Sequence, residues 1–192
     1  MIEIPHEIIE KLKIFQALVQ KWNRAINLVS ETDVQNLWKR HILDSLQLIQ
    51  YIDNKKIHIV DIGSGAGFPG IVLSIAGIAQ VTLVEADLRK CIFLEKAAKI
   101  SGNNIQIINQ RIEKIQINCD ILVCRAFSSL NTILNCTENI FILDKLLLLK
   151  GKSYLSEIEE AKKNWLFDYV VNPSITSEES KILEIRDLTK II

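Results

Sequence analysis

The sequence has almost none of the features that mark a membrane, secreted or metal-binding protein. No apolar run reaches the ~18 residues that a membrane-spanning helix requires. The N-terminal segment around Glu3, Pro5 and Glu7 lacks the basic region and apolar stretch of a secretion signal. The four cysteines form no Cys-X-X-Cys pair, so no zinc site is expected. We therefore predict a cytoplasmic protein with reduced, largely buried thiols, no bound metal and no membrane association.

The sequence also lacks an excess of either charge, because 23 Lys and Arg residues balance 23 Asp and Glu residues. The net charge therefore indicates no nucleic-acid partner, and any such binding must use a local basic patch. The chain has 192 residues, of which 48% are hydrophobic, enough for one full core. We predict a single domain over 1–192, with a helical extension (1–52) before an α/β core (53–192).

Glycine is scarce, yet three of the seven glycines, Gly63, Gly65 and Gly67, fall within five residues. They lie in IHIVDIGSGAGFPG (57–70), where an apolar, β-branched run leads into the glycines and then into another apolar segment. This order is typical of a strand, a tight turn and a helix start. Glycines allow unusual backbone conformations and close approach of a ligand to the main chain. The segment therefore predicts the binding loop of a nucleotide-type cofactor.

Asp61 indicates which cofactor this loop binds. The spacing Gly-X-Gly-X-Gly differs from the Gly-X-Gly-X-X-Gly of dinucleotide sites, and no Lys-Ser/Thr follows as in a P-loop. A carboxylate at the end of the strand would repel a pyrophosphate but attract a cationic ligand. Asp61 thus favours S-adenosylmethionine over NAD, which leaves an NAD-linked oxidoreductase as the alternative. Asp61 can also hydrogen-bond the glycine turn, and the two roles are compatible.

Glu85 ends the next predicted strand, VTLV (81–84), and lies 22 residues after Gly63. An acidic residue at this position and distance is expected to accept hydrogen bonds from a ribose diol. The nearby Asp87 is better placed to cap a helix that begins at Leu88.

Helices and strands alternate along the rest of the chain. Apolar spacing predicts a helix over 6–22 and a second helix from about 33 to 52, capped by Thr32 or Asp33. Later strands are predicted near 57–62, 80–85, 105–109 and 120–124, helices near 70–76, 88–101, 129–140 and 156–165, an apolar run at 146–149 and an antiparallel hairpin from 167–171 and 182–186. This order predicts an α/β fold, with an open, mostly parallel sheet and helices on both faces.

Ligands of such sheets bind outside the carboxyl ends of the strands, where Asp61, Glu85 and Arg125 should converge. Arg125 directly follows the apolar strand DILVC, so we predict a catalytic or substrate-contacting role for it. The alternative is a surface arginine at the end of a strand. His41 and Asp44 are one helical turn apart, and a buried polar pair is the simpler interpretation of them.

Several motifs resemble one known family. They are NLVS (27–30), RHILDS (40–45), DIGSGAGFPG (61–70), RKCIFL (89–94), Arg111-Ile112-Glu113, Arg125-Ala126-Phe127 and Lys150-Gly151. Together they resemble the bacterial small-subunit ribosomal RNA methyltransferases, also called glucose-inhibited division protein B. The chain departs from the family in having Cys124 where Ser is usual, and in a divergent segment after Gly151.

This resemblance implies a Rossmann-like class I methyltransferase fold and methylation of nitrogen-7 of a guanine in 16S ribosomal RNA. The substrate would be that RNA, within the small ribosomal subunit or its precursor. The cofactor would be S-adenosylmethionine. Combined with the motif analysis, the predicted cofactor-binding residues are Asp61, Gly63, Gly65, Gly67, Phe68, Glu85, Ile112, Glu113 and Arg125.

Nitrogen-7 of guanine has a free lone pair and carries no proton. Its methylation therefore needs no general base, only alignment of nucleophile, methyl group and sulfur. RNA would be held through its phosphates, and the candidate substrate-binding residues are Arg40, His41, Lys90 and Lys150. The alternative functions are methylation of another RNA, or a binding module for cofactor or RNA without catalysis.

Overall fold

A computed structural model of the protein describes residues 4–191. Its centre is one seven-stranded sheet. The strands are β1 (His58–Ile62), β2 (Gln80–Val84), β3 (Asn104–Ile108), β4 (Ile117–Arg125), β5 (Ile140–Lys150), β6 (Trp165–Pro173) and β7 (Lys181–Lys190). They lie in the order β3-β2-β1-β4-β5-β7-β6, with β1 to β5 parallel and β7 antiparallel to both of its neighbours.

Helical segments precede the sheet and connect its strands. The α-helices are α1 (His6–Asn23), α2 (Glu31–Gln35), α3 (Asp44–Leu46), α4 (Gly70–Ile75), α5 (Leu88–Ser101), α6 (Leu130–Cys136) and α7 (Tyr154–Ala161). A π-helix covers Trp38–Leu43, and 3-10 helices cover Gln47–Tyr51 and Ile112–Lys114. None of the helices within 4–191 is long and apolar enough to cross a membrane.

Two hydrophobic cores lie on opposite faces of the sheet. Successive side chains of a strand point to opposite faces, so Ile59 joins one core and Val60 joins the other. The first core includes residues of α1, α4 and α5, and the second includes residues of α6 and α7. The predicted α/β fold with helices on both faces of a mostly parallel sheet is therefore confirmed.

The N-terminal helical segment packs directly onto the α/β core. Phe15 is fully buried, and its ring centroid lies 5.2 Å from that of Phe68, just after the glycine loop. Trp22 meets Phe93 of α5 edge to face, with ring centroids 5.7 Å apart. The helical segment thereby forms one wall of the cleft at the carboxyl ends of β1 and β4.

The helix predicted over about 33–52 is largely confirmed, since most of 31–51 is helical, but its winding changes along the segment. The segment is broken into α2, the π-helix, α3 and a 3-10 helix, and its first cap is Ser30, whose hydroxyl accepts from the backbone N–H of Asp33. The Ser45 hydroxyl donates to the His41 carbonyl at 2.6 Å. Side-chain hydrogen bonds of this kind compete with regular helical bonding. The irregular winding leaves His41 and Asp44 buried beside the sheet.

The helix predicted over 129–140 ends earlier, at Cys136. The Thr137 hydroxyl lies 3.1 Å from the carbonyls of both Ile133 and Leu134, which covers the end of the helix. The chain then enters β5 at Ile140, well before the apolar run at 146–149. The C-terminal antiparallel hairpin is confirmed by the pairing of β6 with β7.

Candidate active site

The glycine loop between β1 and α4 has the backbone conformations that its sequence predicts. Gly63, Gly65 and Gly67 all have positive φ, at 64°, 53° and 84°. A Cβ atom at Gly63 would overlap the ring of Phe127, and one at Gly67 would lie 2.5 Å from Ile71. Two of the three positions thus exclude a side chain by space as well as by φ.

Asp61 lies beneath this loop and supports it. Its side chain is fully buried, and Oδ2 accepts a hydrogen bond from the backbone N–H of Gly70 at 3.0 Å. Its Oδ1 has no partner among residues 4–191. Burial raises the pKa of Asp61 to about 7, although the hydrogen bond from the Gly70 N–H favours the ionised form. The geometry assigns Asp61 the turn-supporting role, and its predicted attraction for a cationic ligand stays a prediction.

Glu85 faces the same loop from the end of β2. Its Oε2 accepts from the backbone N–H of Gly65 at 2.9 Å, and its Oε1 accepts from that of Asp87 at 2.8 Å. Asp87 caps α5 as predicted, since its Oδ1 accepts from the backbone N–H of Arg89. The Glu85 carboxylate is thus held in place by main-chain donors at the mouth of a cavity.

Two adjacent cavities share the glycine loop as a wall. The first, which we call the Glu85 cavity, has a volume of about 290 Å³. The second, the Arg125 cavity, has about 210 Å³ and includes His41 and Phe68 in its lining. Both are lined by Gly63, Gly65, Lys90 and Ala126. The predicted residues Ile112 and Glu113 line the Glu85 cavity.

Arg125 is held by two polar side chains at the other side of this cleft. Its Nη1 donates to Nδ1 of His41 at 2.7 Å, and its Nε lies 3.3 Å from Oδ2 of Asp44. The guanidinium also lies 6.0 Å from the ring centroid of Phe68. Burial lowers the pKa of Arg125 and the charge of Asp44 raises it, with a net lowering. A surface arginine at the end of a strand is therefore not what the structure shows.

His41 acts as the hydrogen-bond acceptor in this arrangement. Burial and the Arg125 charge lower the pKa of His41 to about 4, so the imidazole is neutral near neutral pH. Because Nδ1 accepts from Arg125, the ring proton must reside on Nε2. That nitrogen lies 3.6 Å from Oδ2 of Asp33. His41 and Asp44 do not pair with each other; both hold Arg125.

The hairpin loop between β6 and β7 completes this network, which the sequence did not indicate. The Thr176 hydroxyl donates to Oδ1 of Asp44 at 2.7 Å, and Gln47 Nε2 donates to the same oxygen at 2.9 Å. The backbone N–H of Ile175 donates to Gln47 Oε1 at 2.9 Å. The contacts of Thr176 and Ile175 join residues more than a hundred positions apart, so no local sequence pattern could have revealed them.

The predicted substrate-binding cations lie in different settings. Lys90 lines both cavities and has no ion-pair partner within 4–191. Arg40 is exposed, and its Nε lies 2.8 Å from Oδ1 of Asp33. Lys150 is not brought into either cavity: it is buried, and its Nζ lies 2.6 Å from Oε2 of Glu157. A contact of Lys150 with RNA therefore has no support in this arrangement.

Cysteine and metal chemistry find no support in the described part of the chain. Burial raises the pKa of the Cys119 thiol to about 12 and also raises that of Cys124. Such thiols are poor nucleophiles at neutral pH. Residues 4–191 contain no group of three or more His, Cys, Asp or Glu side chains placed to hold a metal ion.

Solved structures with a similar fold include several methyltransferases. One is the ribosomal protein L11 methylase of Lactobacillus delbrueckii subsp. bulgaricus, with a TM-score of 0.60 and 15% identity, covering 80% of this chain and 78% of that one. Another is the magnesium protoporphyrin IX methyltransferase of Synechocystis PCC 6803 with bound SAM, at 0.60 and 13%, covering 89% and 96%. At these identities the likeness establishes the Rossmann-like fold alone.

Sequence relatives are far closer. The chain is 76% identical over its whole length to the full-length ribosomal RNA small subunit methyltransferase G of Rickettsia bellii (strain OSU 85-389). It is 73% identical, again over the full length of both chains, to the protein of the same name from Rickettsia felis. The family model for rRNA small subunit methyltransferase G matches residues 8–188. The chain therefore belongs to the rRNA small subunit methyltransferase G family.

Proposed function

We propose that this protein transfers the methyl group of S-adenosylmethionine to nitrogen-7 of a guanine in 16S ribosomal RNA. The observation that carries the proposal is the pairing of two cavities across one glycine loop. The Glu85 cavity suits a nucleoside, and the Arg125 cavity suits the reacting groups. Membership of the family directs this chemistry to RNA of the small ribosomal subunit.

The residues present fit S-adenosylmethionine. Glu85 offers a carboxylate, fixed by main-chain donors, to the two hydroxyls of a ribose. The glycines let a ligand lie against the main chain, and Ile112 and Glu113 close the far side of the same cavity. When bound, the cofactor supplies an activated methyl group on a sulfonium. The protein's own residues bind it, orient it and restrict the access of water.

The hydrogen bond between Gly65 and Glu85 argues against the dinucleotide alternative. A dinucleotide loop uses free backbone N–H groups to bind pyrophosphate. Here the N–H of Gly65 donates to a carboxylate, and a pyrophosphate at that place would meet like charge. This supports S-adenosylmethionine over NAD as the ligand of the loop.

The side chains of the Arg125 cavity suit a reaction that needs no general base. His41, the one imidazole in its lining, is engaged at Nδ1 with Arg125. The guanine nitrogen needs no deprotonation before attack, so alignment is the main task of the site. Arg125 is held where it can contact the guanine, a neighbouring phosphate or the cofactor carboxylate.

Tritiated methyl transfer to small subunits and to naked 16S RNA tests this proposal. We expect transfer to RNA, with strand cleavage chemistry selective for 7-methylguanosine mapping the label to a guanine. Calorimetric titration should show binding of S-adenosylmethionine and none of NAD. Cofactor binding without transfer to either substrate would favour a non-catalytic module. Transfer to a different RNA, or to another atom of the base, would contradict the assigned substrate.

A further inference from the structure

A groove next to the Arg125 cavity has no role in the site described so far. It runs between the end of α1 and α2, and its volume of about 940 Å³ exceeds that of either cavity. Five of its polar lining residues are exposed to solvent: Gln20, Arg24, Asn27, Glu31 and Gln35. We call this the amide groove. Leu28 and Val29 line both the groove and the Arg125 cavity, so the two spaces share a wall.

The wall between the two spaces is held by Asn23. Its Oδ1 accepts from the backbone N–H groups of Leu28 and Val29 at 2.8 and 2.9 Å. This fixes the segment that carries Asn27 and leads to Glu31. The groove is therefore attached to the methyl-transfer site by a rigid connection, which a recognition subsite requires.

Selection of guanine over adenine needs more than nitrogen-7, which both bases present as an acceptor. Beside that atom, guanine has the O6 acceptor where adenine has a 6-amino donor. At the opposite end of the ring guanine also has N1–H and 2-amino donors, which a second subsite can recognise. An ionised carboxylate only accepts hydrogen bonds. It would pair with these two donors and repel the unprotonated N1 of adenine.

Resting on the proposed function, we infer that the amide groove reads the Watson–Crick edge of the target guanine. Glu31, the carboxylate of the groove, accepts from N1–H and the 2-amino group. Asn27 supplies an amide beside the shared wall. With nitrogen-7 directed into the Arg125 cavity, the far edge of the base reaches the adjoining groove. A base taken out of its stack and read on this edge is a common mode of RNA recognition.

The variants Glu31→Gln and Asn27→Ala test the inference, with Glu159→Gln on the exposed face of α7 as the matched control. We expect single-turnover methylation of small subunits to fall roughly tenfold to a hundredfold for Glu31→Gln, the range for a lost bidentate base contact. Asn27→Ala should fall less. Affinity for S-adenosylmethionine, measured by calorimetry, should not change in any of the three. Parental rates in both groove variants would overturn the inference.

Nucleotide binding provides a readout that does not depend on turnover. Guanosine monophosphate should bind the parental protein more tightly than adenosine monophosphate in ligand-observed NMR, and Glu31→Gln should abolish this preference. Equal binding of the two nucleotides by the parental protein would overturn the groove assignment. A parental protein that binds guanosine monophosphate selectively but transfers no methyl group to 16S RNA would instead overturn the proposed function alone.

Discussion

Arg125 and His41 are joined by a 2.7 Å hydrogen bond, although 84 positions separate them in the chain. Arg125 ends a central strand, and His41 lies in the π-helix of the N-terminal segment. Asp44 contacts the same guanidinium, so two elements outside the strand determine where it points. Arg125 is thus a preorganised group rather than a flexible one, which is what an alignment-based reaction requires.

Two substitutions of His41 should distinguish the role of its hydrogen-bond acceptor from the role of its aromatic ring. His41→Phe keeps an aromatic ring against Phe68, whose centroid is 4.9 Å away, but removes the acceptor for Arg125. His41→Asn keeps an acceptor and loses the ring. We expect single-turnover methylation to fall more in His41→Phe than in His41→Asn, by about tenfold, with cofactor affinity nearly unchanged. Equal losses in the two variants would indicate that His41 matters only for packing.

Replacement of Arg125 should affect methyl transfer more than cofactor affinity. We expect Arg125→Ala to cut single-turnover methylation of small subunits far more than it weakens binding, if the guanidinium contacts the guanine or a phosphate. A cofactor contact, which the family resemblance implies, predicts that both fall together. Because Arg125→Ala leaves Asp44 buried without its partner, Arg125→Lys should be measured alongside it. Near-parental methylation in both variants would show that Arg125 has no role in methyl transfer.

Gly65→Val should abolish binding of S-adenosylmethionine while the protein still folds. A Cβ at Gly65 has 3.7 Å to its nearest neighbour, the Gly63 carbonyl oxygen, so the chain itself has room for it. The φ of 53° adds strain of about 1–2 kcal/mol, and the branched side chain would occupy cofactor space. Calorimetry on the folded variant checks this, with Gly65→Ala as the milder comparison. Unchanged affinity in Gly65→Val would mean that the loop does not bind the cofactor.

Glu85→Ala should weaken cofactor binding roughly tenfold to a hundredfold, because charge-assisted hydrogen bonds to a ribose contribute about 1.5–3 kcal/mol each. Glu85→Gln should lose less, since one acceptor oxygen remains. The carboxylate also accepts from the N–H groups of Gly65 and Asp87, so thermal unfolding must be recorded for both variants. An alanine variant that folds like the parent and binds within about twofold would exclude the ribose contact.

The stability of Asp61→Asn relative to the parent should increase between pH 4 and 7. The pKa of Asp61 is raised from 3.8 to about 7 by burial, so the native state binds a proton that the unfolded state has released. Parental stability from this group is therefore present at low pH and is lost as pH rises toward 7. Asparagine keeps the acceptor for Gly70 without this cost, which is on the order of 4 kcal/mol. Denaturant unfolding of both proteins at several pH values measures the difference. A difference that does not depend on pH would contradict the raised pKa of Asp61.

Local sequence patterns predicted much of the fold and the part of the candidate site that is formed by the glycine loop and Glu85. Apolar runs predicted the parallel strands near their observed places, because a strand buried on both faces is a run of consecutive apolar residues. Gly63, Gly65 and Gly67 predicted their own positive φ values, and Asp87 predicted its cap, because backbone conformation and capping depend on near neighbours. Glu85 was likewise predicted as a candidate ribose ligand from its distance along the sequence to the glycine loop.

Tertiary structure alone decided how the second half of the site is assembled. The sequence predicted a helix over about 33–52, but only the structure shows its changes of winding and places His41 and Asp44 beside Arg125. Thr176 joins the same network from the far end of the chain. Burial makes such pairing necessary, because an unpaired buried guanidinium or carboxylate destabilises the fold. The partner is whichever polar group the tertiary structure places within hydrogen-bond distance. Periodicity and spacing record which residues are buried, but not which distant polar groups meet there.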